Sequence, residues 1–248
     1  MFRHAIKIEY LGTAYAGWQT QPNQRTVQSE IEQALTTICR QPCKITGAGR
    51  TDTGVHASGQ VAHFDTQIEL DPAKVLRSLN GILEEDIAIL KLQKVSNNFH
   101  ARYDAEERAY GYYVTDVKSA LLGRMTSLVS RDISWAGMNE AAKILVRRDD
   151  FSSFCRTQSE TTNRVCDVRR AQWSQLSDGR WKFTIRGDRF LHGMVRAIVG
   201  TLLQVGAGMR NPTDLVTILN SRDRTTAGPA APAHGLILEH VVYPHEFD

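Results

Sequence analysis

One acidic residue, Asp52, stands in a glycine-rich stretch that reads Ile45-Thr-Gly-Ala-Gly-Arg-Thr-Asp-Thr-Gly-Val-His-Ala-Ser-Gly-Gln-Val-Ala-His-Phe64. Glycines allow the backbone to take a positive φ or to approach a ligand closely, and four of them surround the acid: Gly47, Gly49, Gly54 and Gly59. Apolar, β-prone residues at both ends of this stretch flank the loop that carries the acid. A short acid on such a turn, close to Arg50, is suited to presenting an ionised carboxylate in a cleft.

Phosphate binding is the first of three interpretations of this stretch, and the spacing of its glycines disfavours it. The third position of a G-x-G-x-x-G fingerprint is occupied by Asp52, and the sequence contains no G-K-[ST] motif. A second G-x-G, at Gly206-Ala-Gly208, is more typical of the end of a helix. The sequence therefore predicts no nucleotide cofactor.

Metal binding is the second interpretation. Asp52, His56 and His63 form a D-x3-H-x6-H set that could hold an ion, but no carboxylate-rich or H-x-x-x-H element supports it. A single histidine near a strand is more often a structural group. We therefore predict no metal at these residues.

The third interpretation makes Asp52 an ionised nucleophile or base that is held by an arginine. An arginine close to a carboxylate favours its charged form, and the planar guanidinium also fixes the direction of the carboxylate. Arg50 is so near in sequence that its side chain need not face Asp52. A more distant arginine could be the partner, and the residue types alone leave this choice open.

The elements around the Asp52 loop follow from periodicity and capping residues. Ala5 to Tyr10 alternates as a half-buried strand, a second strand is expected to run into the loop, and Val61 to Thr66 predicts a third that leaves it. Thr26 is a suitable N-cap for a helix that continues to Cys39, and Asp71-Pro72 opens another helix. With a further strand from Ile87 to Val95, the first ~100 residues read β-α-β-β-α-β, the order of a ferredoxin-like half.

The second half of the chain has a similar order of strands and helices, although its amino-acid sequence does not repeat that of the first half. Its predicted elements are a strand around Tyr110 to Val114, a helix around Met138 to Leu145, a hairpin of Val165 to Leu176 with Arg180 to Arg186, a helix from Phe190 to Val205, a helix from Pro212 to about Ser221, and a strand from Leu236 to Val242. No low-complexity linker separates the halves. We predict an α+β protein with two quasi-equivalent halves, residues 1–104 and 105–248, that share one mostly antiparallel sheet flanked by helices.

Composition and cysteine usage indicate a soluble cytoplasmic protein. The hydrophobic fraction is 42% and the charged fraction 23%, both ordinary for globular chains. The four cysteines, Cys39, Cys43, Cys155 and Cys166, lack zinc spacing and are expected to be reduced thiols. The N-terminus does not resemble a signal peptide, and no apolar run approaches the ~20 residues of a membrane span.

Positive charge is concentrated in one part of the chain. The net charge is +3, yet residues 147–196 contain ten arginines and one lysine against six acids, a net of +5. Such a segment could attract a polyanion or could be an ordinary solvated face, and the charge alone does not choose between the two.

Aromatic and amide residues lie together in the loop from Leu11 to Arg25. Tyr15, Trp18, Gln19 and Gln21 could stack on nucleic-acid bases and hydrogen-bond to them. Alternatively, Trp18 packs in the hydrophobic core, which is at least as common a role for a single aromatic residue.

Several motifs of the chain, taken together, resemble the tRNA pseudouridine synthase A family. The catalytic signature of that family is similar to Gly49-Arg-Thr-Asp-Thr-Gly-Val-His-Ala57. The family's other blocks resemble Tyr10-Leu-Gly-Thr-x-Tyr-x-Gly-Trp-Gln19, Phe99-His-Ala-Arg102 with Arg108-x-Tyr110-x-Tyr112, Phe190-Leu-His-x-Met-Val-Arg-x-Ile-Val-Gly200, and Ala233-His-Gly-Leu-x-Leu238 with Tyr243-Pro. The resemblance extends from about Ile6 to Pro244.

This resemblance implies a role for each of four residues. Asp52 would be the catalytic nucleophile, Arg196 would pair with it, Tyr110 would stack on the target uracil, and Arg50 would act in displacing the base. It further implies the pseudouridine synthase fold, isomerisation of uridine to pseudouridine at positions 38–40 of the tRNA anticodon stem-loop, and no cofactor or metal. A homodimer that binds tRNA is also implied.

Phosphate contacts are then expected from the basic segment, and removal of Arg164 or Arg169 should weaken binding of all tRNAs. Two other functions remain open. A catalytically silent RNA-binding module would bind tRNA without converting it, and a metal-dependent phosphoesterase would lose activity on chelation.

Overall fold

A computed structural model describes residues 1–157, 161–244 and 247 of the chain. Residues 158–160, which belong to the basic segment, and residues 245, 246 and 248 lie outside this description. The chain divides into two compact units. The first unit contains Met1–Glu107 together with Leu238–Asp248, and the second contains Arg108–Ile237.

The first unit is built on antiparallel strands with two helices. Its elements up to residue 107 are β1 (Phe2–Tyr10), α1 (Val27–Cys39), β2 (Ile45–Gly47), β3 (His56–Thr66), α2 (Pro72–Ile82) and β4 (Ile87–Lys94). This is the predicted β-α-β-β-α-β order. Strand β1 lies between β3 and β4, so that Ile6 stands opposite Ala62 on one side and Leu92 on the other.

Capping residues begin both helices where the sequence predicts it. The Thr26 hydroxyl accepts a hydrogen bond from the Ser29 backbone N–H, and the Ser29 side chain accepts one from the Thr26 N–H in return. Asp71 accepts from the backbone N–H groups of Ala73 and Lys74, and proline occupies the first helical position. Each cap satisfies donors that the first turn leaves without a partner.

The second unit contains four antiparallel strands with a short parallel addition. Its strands and helices are β5 (Glu107–Thr115), β6 (Ser127–Leu128), α3 (Trp135–Ile144), β7 (Arg148–Asp150), β8 (Val165–Gln175), β9 (Trp181–Gly187), α4 (Met194–Gly206) and α5 (Asp214–Ser221). The strand order is β5-β9-β8-β7, and β6 pairs with β5 in parallel. Large buried side chains, including Tyr112, Phe151, Trp173 and Phe183, fill the core of this unit.

Helix α4 begins four residues later than predicted. Gly193 has a φ of +71°, which is incompatible with a helix interior, so Phe190 lies in the turn before the helix. Strands β6 and β7 were not predicted, because two or three residues are too few for a readable alternation. The last strand, β10 (Leu236–Val242), lies beside β3 and belongs largely to the first unit.

The described pairs are antiparallel except for β5 with β6, and five α-helices accompany them, so the predicted α+β class is confirmed. In the described part of the chain, no helix combines the length and the apolar character that crossing a membrane requires.

Candidate active site

Asp52 lies in the loop between β2 and β3, at the start of a tight turn. Its backbone carbonyl accepts a hydrogen bond of 3.1 Å from the Val55 N–H, and Gly54 inside the turn has a φ of +77°. A side chain at Gly54 would be strained, so this glycine allows the turn to form. The Asp52 side chain is half-buried, while Arg50, two residues earlier, is exposed.

Contacts with three other residues hold the loop directly before Asp52. The Tyr10 hydroxyl lies 2.8 Å from Thr51 Oγ1, and the Trp18 N–H donates to the Thr51 carbonyl at 3.1 Å. The Gln60 amide donates to the Gly49 carbonyl at 2.9 Å. These three contacts fix the backbone immediately before Asp52, and residue types alone did not identify Tyr10, Thr51 or Gln60 as its supports.

Gly12 supports the loop from the other end of the turn. Its N–H donates to Nδ1 of His56 at 2.9 Å. A Cβ at position 12 would lie 2.0 Å from the Val55 carbonyl oxygen, so only glycine fits this approach of the two segments. The segment from Tyr10 to Trp18 is therefore a scaffold for the loop that carries Asp52.

The two histidines of the metal interpretation have structural partners. Besides the bond from Gly12 to His56, Nδ1 of His63 accepts from the Ala101 N–H at 3.1 Å. Burial lowers the pKa of His63 to about 4, and the positive charge of Arg3 acts in the same direction. No group of His, Cys, Asp and Glu among the residues that the structure describes has the arrangement of a metal site.

The aromatic residues of the Leu11–Arg25 loop belong to the core. Trp18 is only 2% exposed and packs over the backbone of Gly47, where a Cβ would come within 2.7 Å of its ring. The Tyr15 hydroxyl donates to Asp86, and burial raises the pKa of Tyr15. Stacking of these rings on bases is therefore not supported, whereas Gln19 and Gln21 are exposed as RNA contacts would require.

Tyr110 lies in the middle of β5 in the second unit, opposite Ile185 of β9. It is 8% exposed, and its ring meets Phe190 edge to face at 5.3 Å between ring centroids and an angle of 89°. Two residues earlier, Arg108 donates from Nη1 to the Asp188 carbonyl at 2.7 Å and ties β5 to the turn before α4. These contacts hold the Tyr110 ring in one orientation.

Arg196 lies in the first turn of α4 and is half-buried. Its Nε donates to the Ala231 carbonyl at 2.8 Å, and the Ala231 N–H donates to the Arg196 carbonyl at 2.9 Å. One turn further along, a Cβ at Gly200 would lie 1.7 Å from the Pro229 carbonyl oxygen. The segment from Pro229 to Ala231 therefore runs along α4 and sets the direction of the Arg196 guanidinium.

Tyr112 is a buried neighbour of Arg196 that sequence reasoning did not single out as functional. Its hydroxyl lies 2.7 Å from Ser127 Oγ and donates to the Pro232 carbonyl at 3.0 Å. Burial raises the pKa of Tyr112 to about 12, although Ser127 and the Arg196 charge act in the opposite direction. Tyr112 thus remains neutral beside the Arg196 guanidinium at physiological pH.

The structure places Asp52 and Arg50 in one loop of the first unit, and Tyr110 and Arg196 in the second unit. The pairing of Asp52 with Arg196 stays a prediction. The roles of all four residues in a reaction stay predictions as well.

Acids partly neutralise the basic segment. Arg180 pairs with Asp178 at 2.7 Å and Arg169 with Asp167 at 3.1 Å, each two residues away. Arg164, in contrast, lines a cavity together with Arg222 and Arg224, which lie outside the segment. The two arginines named for phosphate contacts therefore have different surroundings.

Comparison with known proteins finds one family that matches most of the chain. A family described as tRNA pseudouridine synthase matches residues 6–104 and 141–244. Similar proteins include tRNA pseudouridine synthase A of Porphyromonas gingivalis, 45% identical over 99% of both chains. The proteins of the same name from Bacteroides fragilis (43%; 98% of this chain and 97% of the relative) and Bacillus pumilus (40%; 95% and 97%) are also similar.

Proposed function

Because the chain belongs to the tRNA pseudouridine synthase family, we propose that it isomerises uridine to pseudouridine in tRNA, at positions 38–40 of the anticodon stem-loop, with Asp52 as nucleophile. The observation that carries the assignment of Asp52 is its place in a loop whose backbone is fixed by Tyr10, Gly12 and Gln60. Such fixing is what a reacting group needs, since catalysis depends on positions held within a fraction of an ångström.

The reaction is an isomerisation, so atoms and electrons balance within the substrate. The N1–C1′ glycosidic bond breaks and a C5–C1′ bond forms, while the proton on C5 is released to solvent and N1 gains one. A carboxylate at neutral pH is ionised and can act as a nucleophile. In our proposal Asp52 supplies this carboxylate, and Arg196 pairs with it and fixes its direction.

The target base must leave its stack in the RNA before it can react. We assign the stacking platform to Tyr110, since a base on an aromatic ring gains ~1–3 kcal/mol. The edge-to-face contact with Phe190 keeps the ring from turning during that step. Arg50 is exposed beside Asp52 and is assigned to displacing the base from the helix.

The enzyme is further proposed to act as a homodimer in the cytoplasm, where its tRNA substrate is found. Exposed apolar side chains of the second unit, at Val117, Leu121 and Leu128, support an interface with another protein surface. Sedimentation of the purified protein measures the oligomeric state directly, and a monomer at micromolar concentration would contradict the dimer.

Release of tritium from tRNA that carries [5-³H]uridine tests the proposed reaction. The wild-type protein should release tritium without added cofactor and in the presence of a chelator. Asp52→Asn, which keeps the shape of the side chain but removes its charge, should bind the same tRNA and release none.

Each rival function gives a different result in this assay. A silent RNA-binding module would bind tRNA without tritium release by the wild type. A metal-dependent phosphoesterase would cleave the RNA and stop when the chelator is added. Tritium release by Asp52→Asn at the wild-type rate would remove Asp52 from the mechanism.

A further inference from the structure

A cavity of about 260 Å³ in the second unit is lined by three arginines from distant parts of the sequence. Arg164 comes from the residue before β8, and Arg222 and Arg224 come from the segment after α5. Thr157 and Thr225 add hydroxyl groups to the wall. None of these residues belongs to the proposed catalytic set.

Local hydrogen bonds position the two arginines of the later segment. Arg222 has a φ of +52° directly after α5, so the helix ends at this residue. Asp223 then accepts from the Thr225 N–H at 2.9 Å and caps the short turn that contains Arg224. The Asp223 carboxylate next to these arginines is therefore used to shape the backbone.

The opposite wall is joined to α5 by a buried serine. The Ser153 hydroxyl donates to the Ile218 carbonyl at 2.5 Å, which holds the turn at residues 152–154 against the helix. Asp150 accepts from both the N–H and the hydroxyl of Ser152 at 2.8 and 2.5 Å. Its other oxygen lies 3.9 Å from Nε of Arg222.

Positive charge exceeds negative charge around the cavity. Burial alone would raise the pKa of the Asp150 carboxyl, but the hydrogen bonds from Ser152 and the charges of Arg222 and Arg164 outweigh it and lower that pKa. Asp150 is therefore ionised at neutral pH, as is Asp223, whose pKa is lowered by its bonds to Thr225. Among the residues that the structure describes, the three guanidinium groups that line the cavity and the carboxylates of Asp223 and Asp150 leave a net positive charge of one.

We propose that this cavity binds one backbone phosphate of the RNA substrate, an inference that rests on the proposed function. Guanidinium groups match the oxygens of a phosphate with paired hydrogen bonds, and hydroxyl groups complete such sites. The volume is below the ~300–1,000 Å³ of typical small-molecule pockets, which suits a single phosphate better than a whole nucleotide. A contact of this kind fixes the position of an RNA without reading its sequence.

Salt-dependent binding of full-length tRNA tests the proposal. Dissociation constants are measured by fluorescence anisotropy at several KCl concentrations for the wild type, Arg164→Ala, and the double variant Arg222→Ala/Arg224→Ala. Each cavity variant should bind tRNA about tenfold more weakly. The slope of log K against log salt should decrease in magnitude by about 1, the contribution of one phosphate contact. Arg131→Ala is the matched control, because Arg131 is 76% exposed in the same unit and lies outside the cavity.

Combining the substitutions distinguishes the binding of a single phosphate from a general electrostatic attraction between the arginines and the RNA. If all three arginines share one phosphate, the triple variant should lose no more of the salt slope than the double variant. Slopes that fall in proportion to the charge removed, or an equal loss in Arg131→Ala, would overturn the proposal. Unchanged affinity and slope in both cavity variants would overturn it too.

Separate controls address the stability of the variants and the binding of free phosphate. Arg222→Lys/Arg224→Lys keeps the charge and should keep the slope while losing part of the affinity, and thermal unfolding of each variant checks its stability. Calorimetric titration with inorganic phosphate provides the second arm. Tight binding of free phosphate, with RNA affinity unaffected by the cavity variants, would mark a site for free phosphate and overturn the RNA contact.

Failure of the proposed function is recognisable independently. If the wild type binds tRNA but releases no tritium from [5-³H]uridine, the isomerase assignment fails, and the slopes of the cavity variants still decide the phosphate site. If the wild type binds no tRNA at all, both fail.

Discussion

Substitution of Gly12 by alanine should slow the reaction strongly without touching a reacting group. The added Cβ would lie 2.0 Å from the Val55 carbonyl oxygen, whereas such contacts in proteins are almost never shorter than 3.0 Å. The two segments must therefore separate by at least about 1 Å. Val55 closes the turn that begins at Asp52, so the shift is transmitted to the carboxylate.

A displacement of about 1 Å at a reacting group is enough to lower the rate by ~100-fold. We expect this loss in the single-turnover rate of tritium release, measured with enzyme in excess over tRNA. The free energy of unfolding should fall by about 1–3 kcal/mol, which is the usual cost of inserting a methyl group into a packed site. The dissociation constant for tRNA should change little, since Gly12 is buried.

Gly81→Ala is the matched control for this experiment. Nothing lies within 4 Å of the position that its Cβ would take, and the residue is inside helix α2. Alanine at that position should leave the rate unchanged and stabilise the protein by ~0.4–1 kcal/mol. A Gly12→Ala protein with a wild-type single-turnover rate would refute the role of Gly12 in positioning the Asp52 loop.

Two further predictions concern Tyr110 and His63. Tyr110→Phe should keep most of the activity because the ring remains, whereas Tyr110→Ala should lose the ~1–3 kcal/mol of base stacking, seen as a lower single-turnover rate with tRNA; equal rates for the two variants would contradict the assignment. Burial lowers the pKa of His63 from 6.5 to about 4, so the unfolded chain takes up this proton first as the pH falls. The contribution of His63 to the free energy of unfolding is fully present above about pH 6.5. It is lost as the pH falls towards 4, by ~3 kcal/mol at most. Urea unfolding of His63→Gln, which retains an acceptor for Ala101, should therefore depend less on pH between 7 and 4.5 than the wild type, and identical profiles would show that His63 does not contribute.

Local signals predicted the parts of the fold that local interactions determine. The helix starts at Thr26 and Asp71 were readable because a capping side chain bonds to residues two or three positions away. The start of α4 was placed too early because the apolar periodicity continues through Phe190 and Leu191. A single glycine in the left-handed region ends that pattern, and periodicity does not report backbone angles.

The supports of the candidate site were less readable because they join distant residues. Residue types singled out Asp52 and the turn around it, and Gly54 has the positive φ that such a turn requires. The contacts of Tyr10 with Thr51 and of Gln60 with Gly49 have no local signature. The same limit applies to the arginine cavity, since a charge count over residues 147–196 includes Arg164 but neither Arg222 nor Arg224.

The burial of Trp18 changes what the segment before α1 can contribute to RNA binding. A tryptophan that follows a glycine in a loop fits both a base-stacking role and a place in the core, and the residue type cannot separate the two. The structure shows the ring covering Gly47 while its backbone N–H holds Thr51, so the residue supports the Asp52 loop from two directions. A ring that is 2% exposed has no free face for a base. RNA contacts from this segment would therefore come from its exposed polar side chains, among them Gln19 and Gln21, which would hydrogen-bond to the substrate without stacking on it.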